Sequence, residues 1–283
     1  MRLVSYDAGD GARAGVLEDG VVVDAWAALG EPHRGSLREL IGAGRVEDLG
    51  GVLGNSGAPS HPLAAVTLLP PIPDPEKIVC IGLNYQTHAA EAGIEAPESP
   101  TIFAKYRNAL APPGATVRLP GNSRKVDYEA EVAFVVGRRA KDVGEDEALG
   151  HVAGYTLLND LSARDLQFST PQWMSGKVFD GSAPCGPALV TPEEAGPHDG
   201  IEIGLTLNGE QMQGASTADL IFSVPRLLSH LSGLMTLEPG DIVSTGTPDG
   251  VGSVRQPQVW LAEGDEIVIE SPTLGRLETT LKD

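Results

Sequence analysis

Three carboxylates carry the chemistry most open to reading in this chain. In Val126-Asp-Tyr-Glu-Ala-Glu-Val-Ala-Phe-Val-Val136, a strand's two-residue period puts Tyr128, Ala130, Val132, Phe134 and Val136 on one face. It puts Asp127, Glu129, Glu131, Ala133 and Val135 on the other. The acids start a face that then turns apolar, so Glu129 and Glu131 stand side by side at the rim of a buried region. Like charges held there repel and lose hydration, and a divalent cation offsets both costs. The plainer reading is a solvated strand, because a chain with 39 acidic residues produces Glu-x-Glu by chance. Asp160 follows the apolar run Val152 to Leu158 and precedes Leu161 to Gln167, which reads as helix. It is either that helix's N-cap or a third carboxylate at the end of a core strand. All-oxygen ligation that leaves sites for water and substrate suits Mg²⁺ or Mn²⁺ better than zinc.

Two more groups offer chemistry beside these acids. With residues 86 to 92 helical, His88 and Glu91 lie three apart on one face. A Glu beside a His raises its basicity and fixes its tautomer, which makes a base fit to activate water. A surface pair at a helix start is the alternative. The histidines at 33, 61, 151, 198 and 230 have no comparable setting. Lys177, in Trp173-Met-Ser-Gly-Lys-Val-Phe179, either lays its stem across aromatics or holds a substrate carboxylate. This is not a phosphate loop, which needs Gly where Pro171 stands and Ser or Thr where Val178 stands. Ser244-Thr-Gly-Thr-Pro-Asp-Gly-Val-Gly252 is a tight polar turn whose amides and Thr hydroxyls can receive carboxylate oxygens.

The elements that position these groups are mostly strands. Arg2 to Tyr6, Ala14 to Leu17 and Val21 to Asp24 read as a small meander, and 35 to 54 as one or two short amphipathic helices. Pro70-Pro-Ile-Pro-Asp-Pro75 resists both helix and sheet and marks a boundary. Beyond it Lys77 to Ile81, Tyr128 to Gly137, Val152 to Leu158, Ile201 to Leu207, Asp241 to Ser244 and Glu266 to Glu270 read as strands. Residues 97 to 123 are Pro-punctuated and extended. Asn208-Gly209 signals a hairpin, and 217 to 234 is the strongest helix. Strands do not alternate regularly with helices, which points to a mixed β architecture.

Composition narrows the function classes. A formal net charge of −19 on 283 residues disfavours nucleic acid and anionic lipid as partners. No run approaches the roughly 18 apolar residues of a membrane helix. Cys80 and Cys185 form no CxxC pair and read as buried free thiols, as expected in a cytoplasmic protein.

Seven stretches in this order resemble the fumarylacetoacetate hydrolase family, in its acylpyruvase and 2-hydroxyhepta-2,4-diene-1,7-dioate isomerase-like branch. They are IGLNYQTHAAE, FAKYRNAL, DYEAEVAFVVG, NDLSARDLQ, GKVFDGSAPCGP, LTLNGE and LSGLMTLEPGDIVSTGTPDGVG. The resemblance implies a mixed β-rich α+β fold, with a β-roll catalytic domain over 76–283 and a small N-terminal α+β domain over 1–70, usually in a homodimer. It implies Mg²⁺ or Mn²⁺ held by Glu129, Glu131 and Asp160. It matches His88 and Glu91 to a water-activating pair on a mobile lid, so that residues 82 to 97 order over the substrate. Lys177 matches a lysine that binds and polarises the oxo-acid. Arg164, Gln167 and Thr247 match contacts to its oxalate-like end, and Lys105 a further basic position near the pocket. One departure stands out: where many relatives read Ser-Phe-Asp-Thr after the lysine, this chain has Val178-Phe-Asp-Gly181 followed by Ser182. A hydroxyl is lost and a flexible Gly gained beside the metal.

The implied activity is hydrolysis of a C–C bond in an acylpyruvate-like (2,4-dioxo) acid through a metal-bound enolate. The alternatives on the same metal site are an oxaloacetate-type decarboxylase, a 2-hydroxy-diene-dioate isomerase, and a catalytically silent binding protein. The partner in the first three is a small anionic oxo-acid.

Overall fold

A computed structural model describes all residues except 32–34, 54–56, 92, 94 and 96. His33, residue 54 of the helical stretch 35–54, Ala92 of the helix 86–92 and three positions of the segment 82–97 therefore lie outside the described residues.

The strand Ala130–Val136 is the centre of the fold and is buried along its whole length. Its period of two is realised on both faces. Val132, Phe134 and Val136 enter one apolar cluster, while Ala133 and Val135 enter another. It pairs antiparallel with Val152–Asn159, with Glu131 opposite Leu158, and on its other edge with Ile242–Ser244. Ile242–Ser244 runs parallel to Ile78–Gly82, which pairs with Thr101–Lys105. These five neighbours bring Asp160, Glu131, Ser244, the start of the His88 segment and Lys105 to one region. The sheet continues through Ala183–Val190 into the N-terminal meander Arg2–Asp7, Ala12–Glu18 and Val21–Asp24. The N-terminal strands thus extend the main sheet, across the Pro-rich segment 70–75, which forms neither helix nor strand.

A second sheet has the order Glu210–Ser216, Glu202–Leu207, Glu266–Ser271, Gly275–Lys282, Ala115–Arg118. Its first hairpin turns at Asn208-Gly209, where both residues have positive φ (52° and 83°). That is the backbone a two-residue hairpin needs to match strand twist. The small pair Val126–Asp127 with Ser162–Ala163 lies beside the site.

The structure corrects several expectations. The strand expected from Tyr128 begins at Ala130, because Val126–Asp127 pair with Ser162–Ala163 and the chain changes partner across Tyr128 and Glu129. The helix expected over 161–167 begins at Arg164, because Ser162 and Ala163 are held in that same pairing. Asp160 is therefore no N-cap. The helix expected over 217–234 is Val224–Leu234, with a separate 3₁₀ turn at Thr217–Asp219. Pro225 has no N–H to link it to the preceding turn and suits a helix start. Strands Ala183–Val190 and Gly275–Lys282 were not expected. The first contains Pro184, Gly186 and Pro187, which mask its strand pattern; the second alternates buried and exposed residues in a charged tail.

Cys80 and Cys185 are free and buried, and burial pushes the Cys185 thiol up to about 12. Among the described residues, no helix is long and apolar enough to cross a membrane.

Candidate metal centre

Glu129, Glu131 and Asp160 converge. Each offers a carboxylate oxygen, all within 4.8 Å of one another, and all three residues are buried. Glu129 lies in the break before the central strand, Glu131 one residue inside it, and Asp160 directly after the neighbouring strand. Each acid meets a different environment. Lys177 Nζ donates to Glu129 Oε2 at 2.6 Å and to Asp160 Oδ2 at 2.8 Å. Lys105 Nζ donates to Asp160 Oδ1 at 2.5 Å. Arg164 Nη1 lies 2.7 Å from Glu129 Oε1. Glu131 has no ion-pair partner among the described residues; it accepts from Ser244 Oγ at 2.5 Å and from the Gly246 amide at 3.0 Å.

The electrostatics follow from those partners. Burial, then the charges of Asp160 and Glu129, push the Glu131 carboxyl up to about 8. Burial acts the same way on Glu129, but Arg164 and Lys177 outweigh it and hold that carboxyl well below the usual range. Burial alone would lower the Lys177 ammonium; Asp160 and Glu129 raise it. A buried carboxylate trio with one member left to its neighbours' repulsion is a fitting donor set for a hard divalent cation. Glu129, Glu131 and Asp160 are the residues that would hold it.

Glu129 and Glu131 line a cavity of about 520 Å³. His88, Arg164, Gln167, Lys177 and Thr247 line it. Lys105 does not: it sits behind Asp160 and also donates to the Leu161 carbonyl at 3.3 Å. Lys177 has its ammonium 4.9 Å from the Phe103 ring centroid, so it both meets aromatics and pairs with acids. Its helix, Met174–Lys177, ends where Ser182 Oγ donates to the Lys177 carbonyl at 2.9 Å. Gly181 has φ +75°, a turn that a Thr would strain, and Asn108 Nδ2 donates to the Val178 carbonyl.

The His88–Glu91 pair is looser than expected. His88 Nδ1 is 3.7 Å from Glu91 Oε2, beyond a hydrogen bond, and is buried with no partner. The helix Gln86–Glu91 exists, but Glu91 accepts from the Gly250 amide at 3.1 and 3.2 Å. The polar turn 244–252 does receive carboxylates, and they are the protein's own. Gly246 serves Glu131, Gly250 serves Glu91, and Gly252 with Ser253 serves Asp127. At Gly246 (φ +100°) a Cβ would meet the Ile81 carbonyl at 2.9 Å, so the turn can approach only as glycine. Asp127 is thus no fourth ligand: Arg164 and three backbone amides consume its oxygens.

Sequence reasoning missed Ser244, Gln213, Lys125 and Trp260. Their signals are tertiary, because each becomes a site residue only when segments distant in sequence meet.

Residues 77–282 match the fumarylacetoacetate (FAA) hydrolase C-terminal domain. The chain belongs to the fumarylacetoacetate hydrolase family. Within it, a Bos taurus protein named oxaloacetate tautomerase FAHD2A, mitochondrial, is 43% identical over 220 residues, covering 77% of this chain and 70% of that one. The fumarylacetoacetate hydrolase EaFAH from Exiguobacterium antarcticum superposes with a TM-score of 0.87 at 33% identity, covering 100% of this chain and 99% of that one. A 5-carboxymethyl-2-hydroxymuconate delta-isomerase from Mycobacterium smegmatis gives 0.80 at 33% identity, covering 99% of each chain. Family members thus carry the names of a tautomerase, a hydrolase and an isomerase on one fold.

Proposed function

We propose that the protein is a divalent-metal-dependent enzyme that moves a proton at C3 of a small 2-oxo dicarboxylate of the oxaloacetate type. The observation that carries this is His88. It stands on the wall of the cavity that Glu129 and Glu131 line, and its buried Nδ1, 3.7 Å from Glu91 Oε2, makes no hydrogen bond. Proton transfer needs one such group; hydrolysis needs a base and an oriented water as well. Mg²⁺ or Mn²⁺, when bound, draws electrons from the 1-carboxylate and 2-oxo group and so acidifies the C3 protons. Lys177 and Arg164 keep Glu129 ionised as a ligand. Gln167 and Thr247 offer polar atoms from the cavity wall. His88 takes the C3 proton of the keto form and hands it to the 2-oxygen to give the enol, and the reverse transfer restores the keto form.

A dicarboxylate fits because Lys125 also lines this cavity, with its ammonium 5.7 Å from the Trp260 ring centroid. Lys125 pairs with no carboxylate among the described residues, unlike Arg164 and Lys177. The name of the bovine relative supports the same substrate class. C–C hydrolysis of a 2,4-dioxo acid stands as a second reading, favoured by Glu91 lying 3.7 Å from His88.

Purified protein with Mn²⁺, given the enol form of oxaloacetate, should speed the decay of its ultraviolet absorbance over a Mn²⁺ blank, and Glu131→Gln should not. No acceleration, together with release of cleavage products from acylpyruvates, would replace the first reading by the second.

A further inference from the structure

Gln213 is a buried amide, 2% exposed, that the proton transfer does not use directly. It projects from Glu210–Ser216, the outer strand of the second sheet. Its Oε1 accepts from the Ala130 amide at 2.9 Å, between Glu129 and Glu131 in sequence. Its Nε2 donates to Thr247 Oγ1 at 2.9 Å and to the Pro248 carbonyl at 2.9 Å.

These partners fix the amide's orientation. A backbone N–H only donates and a carbonyl only accepts. Oε1 must therefore face Ala130, and Nε2 must face Pro248. The second Nε2 proton falls on Thr247 Oγ1 at 2.9 Å in preference to the Asp249 carbonyl at 3.4 Å, so the hydroxyl is used as an acceptor. The hydroxyl's own proton has to leave in another direction. Among the described residues it reaches no protein acceptor, and Thr247 lines the cavity.

We propose that Gln213 is a positioning residue that sets Thr247 as a hydrogen-bond donor toward an anionic oxygen of the bound oxo-acid. This rests on the oxo-acid reading of the cavity. A hydroxyl free to rotate serves donors and acceptors alike. One locked as a donor favours a carboxylate or enolate oxygen and disfavours an N–H or O–H at that place. Through the Ala130 amide, the same side chain ties Thr247 to the strand that carries the metal-binding acids.

The test uses the full chain with Mn²⁺, and oxalate as the probe. Mn²⁺ affinity and oxalate affinity are measured separately by calorimetry. Gln213→Met removes the donor without adding charge, and Gln213→Glu lets the Thr247 hydroxyl turn to donate to the new carboxylate. Both should keep Mn²⁺ affinity within about threefold and weaken oxalate about tenfold, the scale of one hydrogen bond to a charged group. Thr247→Val should lose the same factor, and the double variant Gln213→Met/Thr247→Val no more than Thr247→Val alone. Losses that add in the double variant, or oxalate binding unchanged in both Gln213 variants, overturn the proposal. A measurement that leaves Gln213 intact guards against misfolding. The wild type should prefer oxalate over oxamate, which presents an amide N–H, and Thr247→Val should narrow that preference; an unchanged preference overturns the proposal. Should wild-type protein with Mn²⁺ fail to bind oxalate at all, the oxo-acid reading itself falls.

Discussion

Titrating the metal-free site with Mn²⁺ at several pH values tests the electrostatics directly. Burial, then Asp160 and Glu129, raise the Glu131 carboxyl from 4.5 to about 8. At pH 7 it then keeps its proton in about nine molecules of ten. Glu129, held low by Arg164 and Lys177 against its burial, has no proton to lose. An ion entering the trio must displace the Glu131 proton, so apparent affinity rises about tenfold per pH unit below 8 and flattens above it. From pH 6 to pH 8 the gain is about fifty-fold. Calorimetry in two buffers of different ionisation heat counts the protons: about one released at pH 6 and about half of one at pH 8. Glu131→Gln should bind more weakly and lose both the slope and the release. Affinity that is flat from pH 6 to 8, with no proton released, would rule out a proton held on Glu131. The same shift has a sign for stability. The folded value lies above the unfolded one, so the fold favours the protonated form. That contribution is whole below about 4.5 and is lost as pH rises through about 8. The metal-free melting temperature should fall across that window, and Mn²⁺ should reduce the fall.

Three further substitutions probe separate parts of the site. His88→Ala should keep Mn²⁺ and oxalate binding but lower kcat for oxaloacetate tautomerisation by about 10²-fold or more, the share a positioned acid–base group supplies. Gly176→Ala would bring a Cβ to 2.4 Å from the Ala163 carbonyl and 2.5 Å from the Gln167 amide. Backbone atoms cannot give way there, so the helix bearing Lys177 must shift; urea unfolding should show a loss of about 2–4 kcal/mol, with weaker oxalate binding. Lys125→Glu should raise KM for a 2-oxo dicarboxylate about tenfold while leaving kcat and monocarboxylate 2-oxo acids little changed, as measured by steady-state kinetics at low salt.

The acids of the site were legible because strand periodicity is local. Glu129 and Glu131 share a face in the sequence pattern, and they do meet. Asp160 needed more, since the residues after it look helical; only the pairing of Ser162–Ala163 with Val126–Asp127 decides against an N-cap. The turn 244–252 was readable as a receiver of carboxylates, but not which ones, because Asp127 and Glu131 arrive from another strand. Gln213 had no signal at all. Its role exists only where the second sheet packs on the first, at a separation of 83 residues from Ala130. Helix 217–234 shows the opposite error: apolar spacing ran through a break that Pro225 and the 3₁₀ turn impose.

Charge balance joins these observations into one account of how the site works. Four buried carboxylates, Asp127, Glu129, Glu131 and Asp160, face three buried cations, Lys105, Arg164 and Lys177. A buried site tolerates little net charge. Without metal, the proton on Glu131 makes the count even. A divalent ion that replaces this proton leaves one positive charge in excess, and the 1-carboxylate of the proposed oxo-acid removes it. Metal and ligand therefore each bind better in the other's presence, by a coupling that must be equal in both directions. In the proposed reaction, proton removal at C3 adds a negative charge beside groups that already balance, and His88, gaining a proton on the cavity wall, supplies the compensating positive charge.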